Sequence, residues 1–120
     1  MIAHFKGIDI DGNVTKFDSA CEYENGIYKF VDLSSENTII YIQIEASTIT
    51  ITRKGDTNME LFLVRNEKTS GYYKNNLGLE FEFSVLTDDL SINSDRIYAS
   101  YSLFIENDMV NSQKMWILFN

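Results

Sequence analysis

A two-residue alternation of apolar and polar side chains recurs along this chain and limits what it can fold into. The alternation is clearest from Leu79 to Thr87, where every second side chain is apolar. Successive side chains of a β-strand point to opposite faces, so this period is that of a half-buried strand. Since no segment shows the 3.6-residue period of a helix over eleven positions, the sequence predicts an all-β protein.

Composition supports the same fold class. Ile, Val, Thr and the aromatic residues make up 43 of the 120 residues, and these types suit a pleated, half-buried surface. Ala, the best helix former, occurs four times, and proline is absent. The absence of proline suits a sheet in which every strand needs its N–H donors.

Turn signals divide the chain into eight to ten predicted strands. Asp11-Gly12 and Asn25-Gly26 are two-residue hairpin signals, and Lys54-Gly55-Asp56 marks another turn. The runs between turns cover residues 2–10, 14–23, 27–32, 38–45, 47–53, 58–64, 71–74, 79–87, 96–105 and 110–119. Residues 88–95 form the longest expected loop, with room for a short helical turn.

Sequential strands joined by short turns make an antiparallel meander, and a single domain over residues 1–120 is expected at this length. Closing the meander into an up-and-down β-barrel removes its two exposed edges. A two-sheet sandwich is the alternative, and periodicity does not separate it from a barrel.

The formal net charge of −8 argues against two classes of binding partner. Binding to nucleic acid or to an anionic membrane needs clustered Lys and Arg, so neither is expected. Cys21 is the only cysteine, which excludes an intramolecular disulfide and fits a reducing compartment. The chain opens without a signal-like segment and has no apolar run of about 18 residues, so a cytoplasmic protein is expected.

An ordered series of short motifs resembles a known family. The motifs are Ile51-Thr52-Arg53-Lys54-Gly55, Met59-Glu60-Leu61-Phe62, Gly71-Tyr72-Tyr73, Gly78-Leu79-Glu80-Phe81 and Tyr101-Ser102-Leu103. In this order they resemble the YwiB-like family of small, uncharacterised bacterial proteins, over a little under half of the chain. The resemblance implies a calycin-like (lipocalin-type) antiparallel barrel and no particular activity. Relatives tend to carry Thr-Pro where this chain has Asn75-Asn76-Leu77, which is a departure in a turn.

Motifs of the common enzyme and cofactor classes are absent. The sequence has no phosphate-binding glycine loop, dinucleotide fingerprint, Cys-x-x-Cys pair or His-Glu-x-x-His motif, so no metal or cofactor is expected. His4 is the only histidine, and no partner can be placed beside it from sequence. Glu80 and Glu82 share one strand face, but a solvated outer face accounts for them. Whether the protein is an enzyme stays open, with a non-catalytic role favoured.

Arg53 is the strongest candidate for a functional residue. It is in phase with Ile49 and Ile51, so its guanidinium should project into the barrel near one end, beside the Gly55 turn. An inward guanidinium must be paired or reach water. It therefore either pairs with a carboxylate or backbone carbonyls as a structural group, or anchors the carboxylate or phosphate of a ligand.

Four aromatic residues complete the predicted site. They are Tyr73, Phe81, Phe83 and Tyr101, whose rings either line a pocket or fill the core. Trp116 is expected inside the barrel as a packing anchor.

Two functions fit this architecture. The first is a non-catalytic barrel that binds a small apolar or anionic ligand in a mainly apolar interior, for which a pocket of about 300 Å³ or more is expected. The second is a filled barrel that acts as a protein-interaction or homodimerising module. The strand count and the inward Arg53 favour the first function, and only narrowly, because the bulk of the predicted inward side chains indicates a filled interior.

Overall fold

The computed structural model describes residues 1–120, and it contains ten β-strands and no helix. The strands are β1 Ile2–Asp9, β2 Val14–Glu24, β3 Ile27–Val31, β4 Ile39–Glu45, β5 Thr48–Lys54, β6 Thr57–Leu63, β7 Lys68–Asn75, β8 Glu80–Ile92, β9 Arg96–Ile105 and β10 Asp108–Phe119. Each strand pairs antiparallel with its neighbours in sequence, and β1 pairs with β10. The sheet therefore closes into an up-and-down barrel, which confirms the predicted architecture and excludes the sandwich.

Tight turns join the strands at both ends of the barrel. Asn25-Gly26 joins β2 to β3 with φ angles of 53° and 81°, and Glu106-Asn107 joins β9 to β10 with φ angles of 50° and 70°. Positive φ at both central residues matches the right-handed twist of the paired strands. Since the strands alternate in direction, residues 10–13, 32–38, 55–56, 76–79 and 106–107 share one end, here named the Arg53 end.

The inner face of the barrel carries the hydrophobic core. The fully buried apolar side chains with no more than 1% exposure are Ala3, Ile42, Ile49, Leu63, Val85, Ala99 and Ile117. Gly71 of β7 lies opposite Phe83 of β8, and a Cβ on Gly71 would lie 2.3 Å from the Phe83 ring. The missing side chain therefore makes the space in which this ring packs.

Strand β8 differs most from the sequence prediction. Residues 88–95 were expected to form a loop, but β8 continues to Ile92 and only residues 93–95 connect it to β9. The pairing with β9 shifts register between Thr87 and Asp89, which is a β-bulge. The extra residue reverses the alternation, so Thr87 and Leu90 both point inward. The apolar residues then no longer recur with a period of two, and the sequence therefore did not predict that the strand continues.

Two aromatic or apolar residues lie elsewhere than expected. Trp116 was predicted inside, but it alternates with the buried Met115 and Ile117 and lies on the outer wall, 36% exposed. Leu79 was predicted as an inward strand residue, yet it lies in the turn before β8 and is 54% exposed. The position of each side chain therefore follows from where its strand begins and how it pairs, not from its own hydrophobicity.

Candidate functional site

Arg53 lies on the inner face of β5, as its phase with Ile51 predicts. It is in register with Ile40 of β4 and Met59 of β6, both of which also face inward. Its Nη2 donates a hydrogen bond to Oδ2 of Asp32. The Asp32 side chain is 2% exposed and that of Arg53 is 35% exposed. The predicted pairing of Arg53 with a carboxylate is therefore present at the Arg53 end.

Both carboxylate oxygens of Asp32 accept hydrogen bonds. Its Oδ1 accepts hydrogen bonds from the backbone N–H of Ser34, at 2.9 Å, and from the Ser34 hydroxyl. A guanidinium has five N–H donors, and in Arg53 only one of them reaches a protein acceptor. The remaining donors stay available for water or a ligand.

A cavity of about 170 Å³ lies beside Arg53 inside the barrel. The residues that line it are Phe5, Ile40, Ile51, Arg53, Met59, Leu61, Tyr101, Leu103, Asn111, Gln113 and Met115. The volume is below the expected 300 Å³, and it is close to that of an apolar protein cavity of roughly 150 Å³ that holds benzene. The interior is therefore mostly filled, with room for one small molecule.

Tyr101 contributes a hydroxyl group to this cavity. The residue as a whole is 7% exposed, and its hydroxyl has no hydrogen-bond partner in the protein and opens onto the cavity. Burial raises the pKa of Tyr101 to about 12, although the positive charge of Arg53 acts in the opposite direction. The hydroxyl therefore stays protonated and is a free hydrogen-bond donor.

Gln113 contributes a carboxamide from β10. Its Nε2 lies where a side chain on Gly7 of the neighbouring strand would stand, since a Cβ on Gly7 would be 2.4 Å away. Gly7 thus leaves the space that the Gln113 side chain occupies. Together with Arg53 and Tyr101, Gln113 gives one region of an otherwise apolar cavity several polar groups.

The other three predicted site residues form a separate cluster. The rings of Tyr73 and Phe81 stack with centroids 4.8 Å apart, and Phe81 meets Phe83 edge-on at 6.4 Å. None of the three lines the cavity. The structure therefore brings Arg53 and Tyr101 together, whereas Tyr73, Phe81 and Phe83 act as packing at the neighbouring wall.

Three polar residues at this site were not predicted. Asp32 is in phase with the buried Phe30, and Asn111 and Gln113 are in phase with the buried Met115. Polar residues that continue an apolar alternation are the signal that would have identified them. The bulge in β10 between Met109 and Asn111 interrupts that alternation at its start.

Residues considered for chemistry elsewhere are accounted for by local contacts. His4 bonds Asp18 through Nδ1 at 2.6 Å and Asn120 through Nε2 at 2.9 Å, and the bond to Asp18 raises the pKa of His4. Burial raises the pKa of the Cys21 thiol, which disfavours the nucleophilic thiolate. No three His, Cys, Asp or Glu side chains lie close enough to hold a metal ion.

The sequence and the fold were compared with those of known proteins. Residues 6–117 match the family described as domain of unknown function DUF1934. The chain belongs to the DUF1934 family. The crystal structure of the YwiB protein from Bacillus subtilis superimposes with a TM-score of 0.68 at 16% identity, over 99% of this chain and 90% of that one. This DUF1934 chain therefore has the fold that its resemblance to the YwiB-like family implied.

One further comparison and one search of the structure gave negative results. No curated protein matches this DUF1934 chain. No helix has the length and apolar character that a membrane crossing requires.

Proposed function

We propose that this DUF1934 protein is a non-catalytic barrel that binds one small molecule in the cavity at its Arg53 end. The ligand presents an acidic or other acceptor group to Arg53 and Tyr101, and packs a short apolar body against residues such as Ile51 and Leu103. A molecule about the size of benzoate matches a volume of about 170 Å³. The free thiol of Cys21 fits a reducing compartment, so the proposal places the protein in the cytoplasm.

The observation that carries the proposal is the unpartnered Tyr101 hydroxyl. This hydroxyl opens onto the cavity without a protein partner, so it is available to hydrogen-bond a ligand or water there. Tyr101 is 7% exposed and has Arg53 beside it as a second donor. Donors grouped in an apolar cavity are the usual arrangement for orienting a small ligand.

The test compares two probes of the same size and two matched variants. Benzoate is titrated against benzamide, with amide chemical shifts as the measurement. We expect saturable shifts at the Arg53 end with benzoate binding more tightly. The variant Tyr101→Phe should weaken binding about five- to tenfold, since it loses one hydrogen bond. The variant Tyr41→Phe, on the outer wall and outside the cavity, should leave binding unchanged.

Native mass spectrometry of freshly purified protein complements the titration. A retained small molecule that is lost in Tyr101→Phe supports the proposal whatever its identity. A protein that retains nothing, and whose amide shifts respond to neither probe at millimolar concentration, contradicts it. Equal binding by wild type and Tyr101→Phe would also exclude the site.

Exposed apolar residues at the Arg53 end favour a second candidate function, a protein-interaction or homodimerising module. Ile10, Leu33, Leu77 and Leu79 lie on three of the five connections there, and their exposed fractions run from 49% to 89%. Apolar groups gathered at one end of a soluble protein mark interaction surfaces. The same mass spectra decide this candidate: a dimer that Leu77→Ser converts to monomer supports it, and a strict monomer with no retained partner contradicts it.

A further inference from the structure

A second cavity, of about 280 Å³, lies on the outer wall of the barrel, away from Arg53. Part of its surface is formed by five residues that lie side by side on five adjacent strands, each paired with the next. In order from β2 to β8 these residues are Lys16, Lys6, Trp116, Tyr98 and Ser91. Two positive charges therefore adjoin two aromatic rings on one continuous surface, here named the lysine–tryptophan groove.

The two lysines of the groove are unpaired. Lys6 and Lys16 lie directly opposite each other on β1 and β2, where like charges destabilise a sheet. Neither forms an ion pair with any carboxylate of the protein. In a chain with a net charge of −8, two exposed lysines without acidic partners leave a local site of positive potential.

The acidic groups around the groove are already engaged. Asp18, which lines the groove, bonds His4, and Asp95 lies 3.2 Å from Nε of Arg96. Arg96 also lines the groove, where Asp95 compensates its charge. The cations of the groove that no carboxylate compensates are therefore Lys6 and Lys16.

The aromatic pair supplies a surface for a flat ring. The Trp116 and Tyr98 rings lie 5.1 Å apart at an angle of 43°, and Nζ of Lys6 lies 5.3 Å from the centre of the Trp116 ring. Trp116 is 36% exposed, so one part of its ring is open to a ligand. Exposed aromatic faces stack on planar ligands, and adjacent cations bind their charged groups.

We propose that the lysine–tryptophan groove binds a planar aromatic molecule that carries a phosphate group. The phosphate lies between Lys6 and Lys16, and the ring stacks on Trp116. The binding side chains of the groove, Lys6, Lys16 and Trp116, lie on the outer face of the sheet, whereas the Arg53 cavity lies inside the barrel; Phe5 is the one residue that lines both. Either site can therefore fail without the other.

Trp116 is the only tryptophan of the chain, so its fluorescence reports on this groove alone. Adenosine monophosphate is the probe, with adenosine as the ring without charge and inorganic phosphate as the charge without a ring. We expect saturable quenching by adenosine monophosphate, at least about tenfold weaker binding of adenosine and of phosphate, and weaker binding at high salt.

Matched variants locate the phosphate contact. The double variant Lys6→Gln, Lys16→Gln should bind adenosine monophosphate about tenfold more weakly, whereas Lys74→Gln on β7 should bind as wild type does. All three lysines are exposed, so the variants should fold as wild type does, and circular dichroism measures whether they do. Absence of saturable quenching, equal binding of adenosine and its monophosphate, or unchanged binding in the double variant would each overturn the proposal.

Discussion

At the scale of single residues, the pair formed by Arg53 and Asp32 is the most consequential feature of the barrel interior. The two members differ in their environment, since the Asp32 side chain is 2% exposed and the Arg53 side chain is 35% exposed. Asp32 depends on Arg53 for charge compensation, whereas Arg53 can reach water. Removing one member therefore has a different effect from removing the other.

We expect Arg53→Met to destabilise the protein more than Asp32→Asn does. The first change leaves a buried carboxylate without its counter-charge and should lower the free energy of unfolding by about 3–5 kcal/mol. The second leaves a guanidinium that turns towards solvent and should cost about 1–2 kcal/mol. Urea denaturation measures both variants. An equal cost, or a larger cost for Asp32→Asn, would show that Arg53 contributes little to the stability of Asp32.

At the scale of elements, the bulge in β8 decides which side chains of that strand enter the core. Before the bulge Phe83, Val85 and Thr87 are buried, and after it Leu90 is buried. One unpaired residue, Asp88, separates the two phases. A β-strand has a side-chain period of two, so a shift of one residue moves every following side chain to the other face.

Deleting Asp88 should therefore be strongly destabilising. Without the extra residue, the two halves of β8 cannot both keep their present register. Either Leu90 and Ile92 turn outward, or the inward side chains before the bulge do. Exposing two such side chains lowers the free energy of unfolding by about 3 kcal/mol or more, measured by thermal or urea denaturation. The control Asp88→Ser keeps the strand length at an exposed position and should change stability by less than about 0.5 kcal/mol. Similar stability of the deletion variant and wild type would contradict the role of the bulge.

At the scale of the whole molecule, the two main features are the closed sheet and the excess of negative charge. Pairing of β1 with β10 leaves no strand edge for another chain to pair with. Three arginine–aspartate ion pairs and the His4–Asp18 contact engage four of its 18 acidic residues. Because most carboxylates are unpaired at a net charge of −8, repulsion between them opposes the compact state.

Moderate salt should consequently stabilise the protein. Raising sodium chloride from about 0.02 M to about 0.2 M shortens the Debye length from roughly 20 Å to roughly 7 Å and screens this repulsion. The urea midpoint should rise, and the rise should be smaller in the double variant Glu22→Gln, Glu24→Gln, which has two fewer negative charges. A midpoint that falls with salt would indicate that ion pairs outweigh the repulsion.

Local patterns in the sequence were sufficient for the fold class and for most of the strands. The turn residues Asn25-Gly26 and the alternation through Ile49, Ile51 and Arg53 each depend on a few neighbouring residues, and the structure agrees with both. The alternation also identified Arg53 and Tyr101 as inward residues. Their role in binding a ligand stays a prediction.

Tertiary structure alone decided which of these residues meet. Asp32 reaches Arg53 across two strand pairings, and Gln113 reaches the same cavity because closure of the barrel brings β10 round to β1. The outer position of Trp116 and the phase of β8 were likewise set by pairing and by a bulge. A period of two determines only that neighbouring side chains face opposite ways, whereas the register between distant strands determines what each side chain contacts.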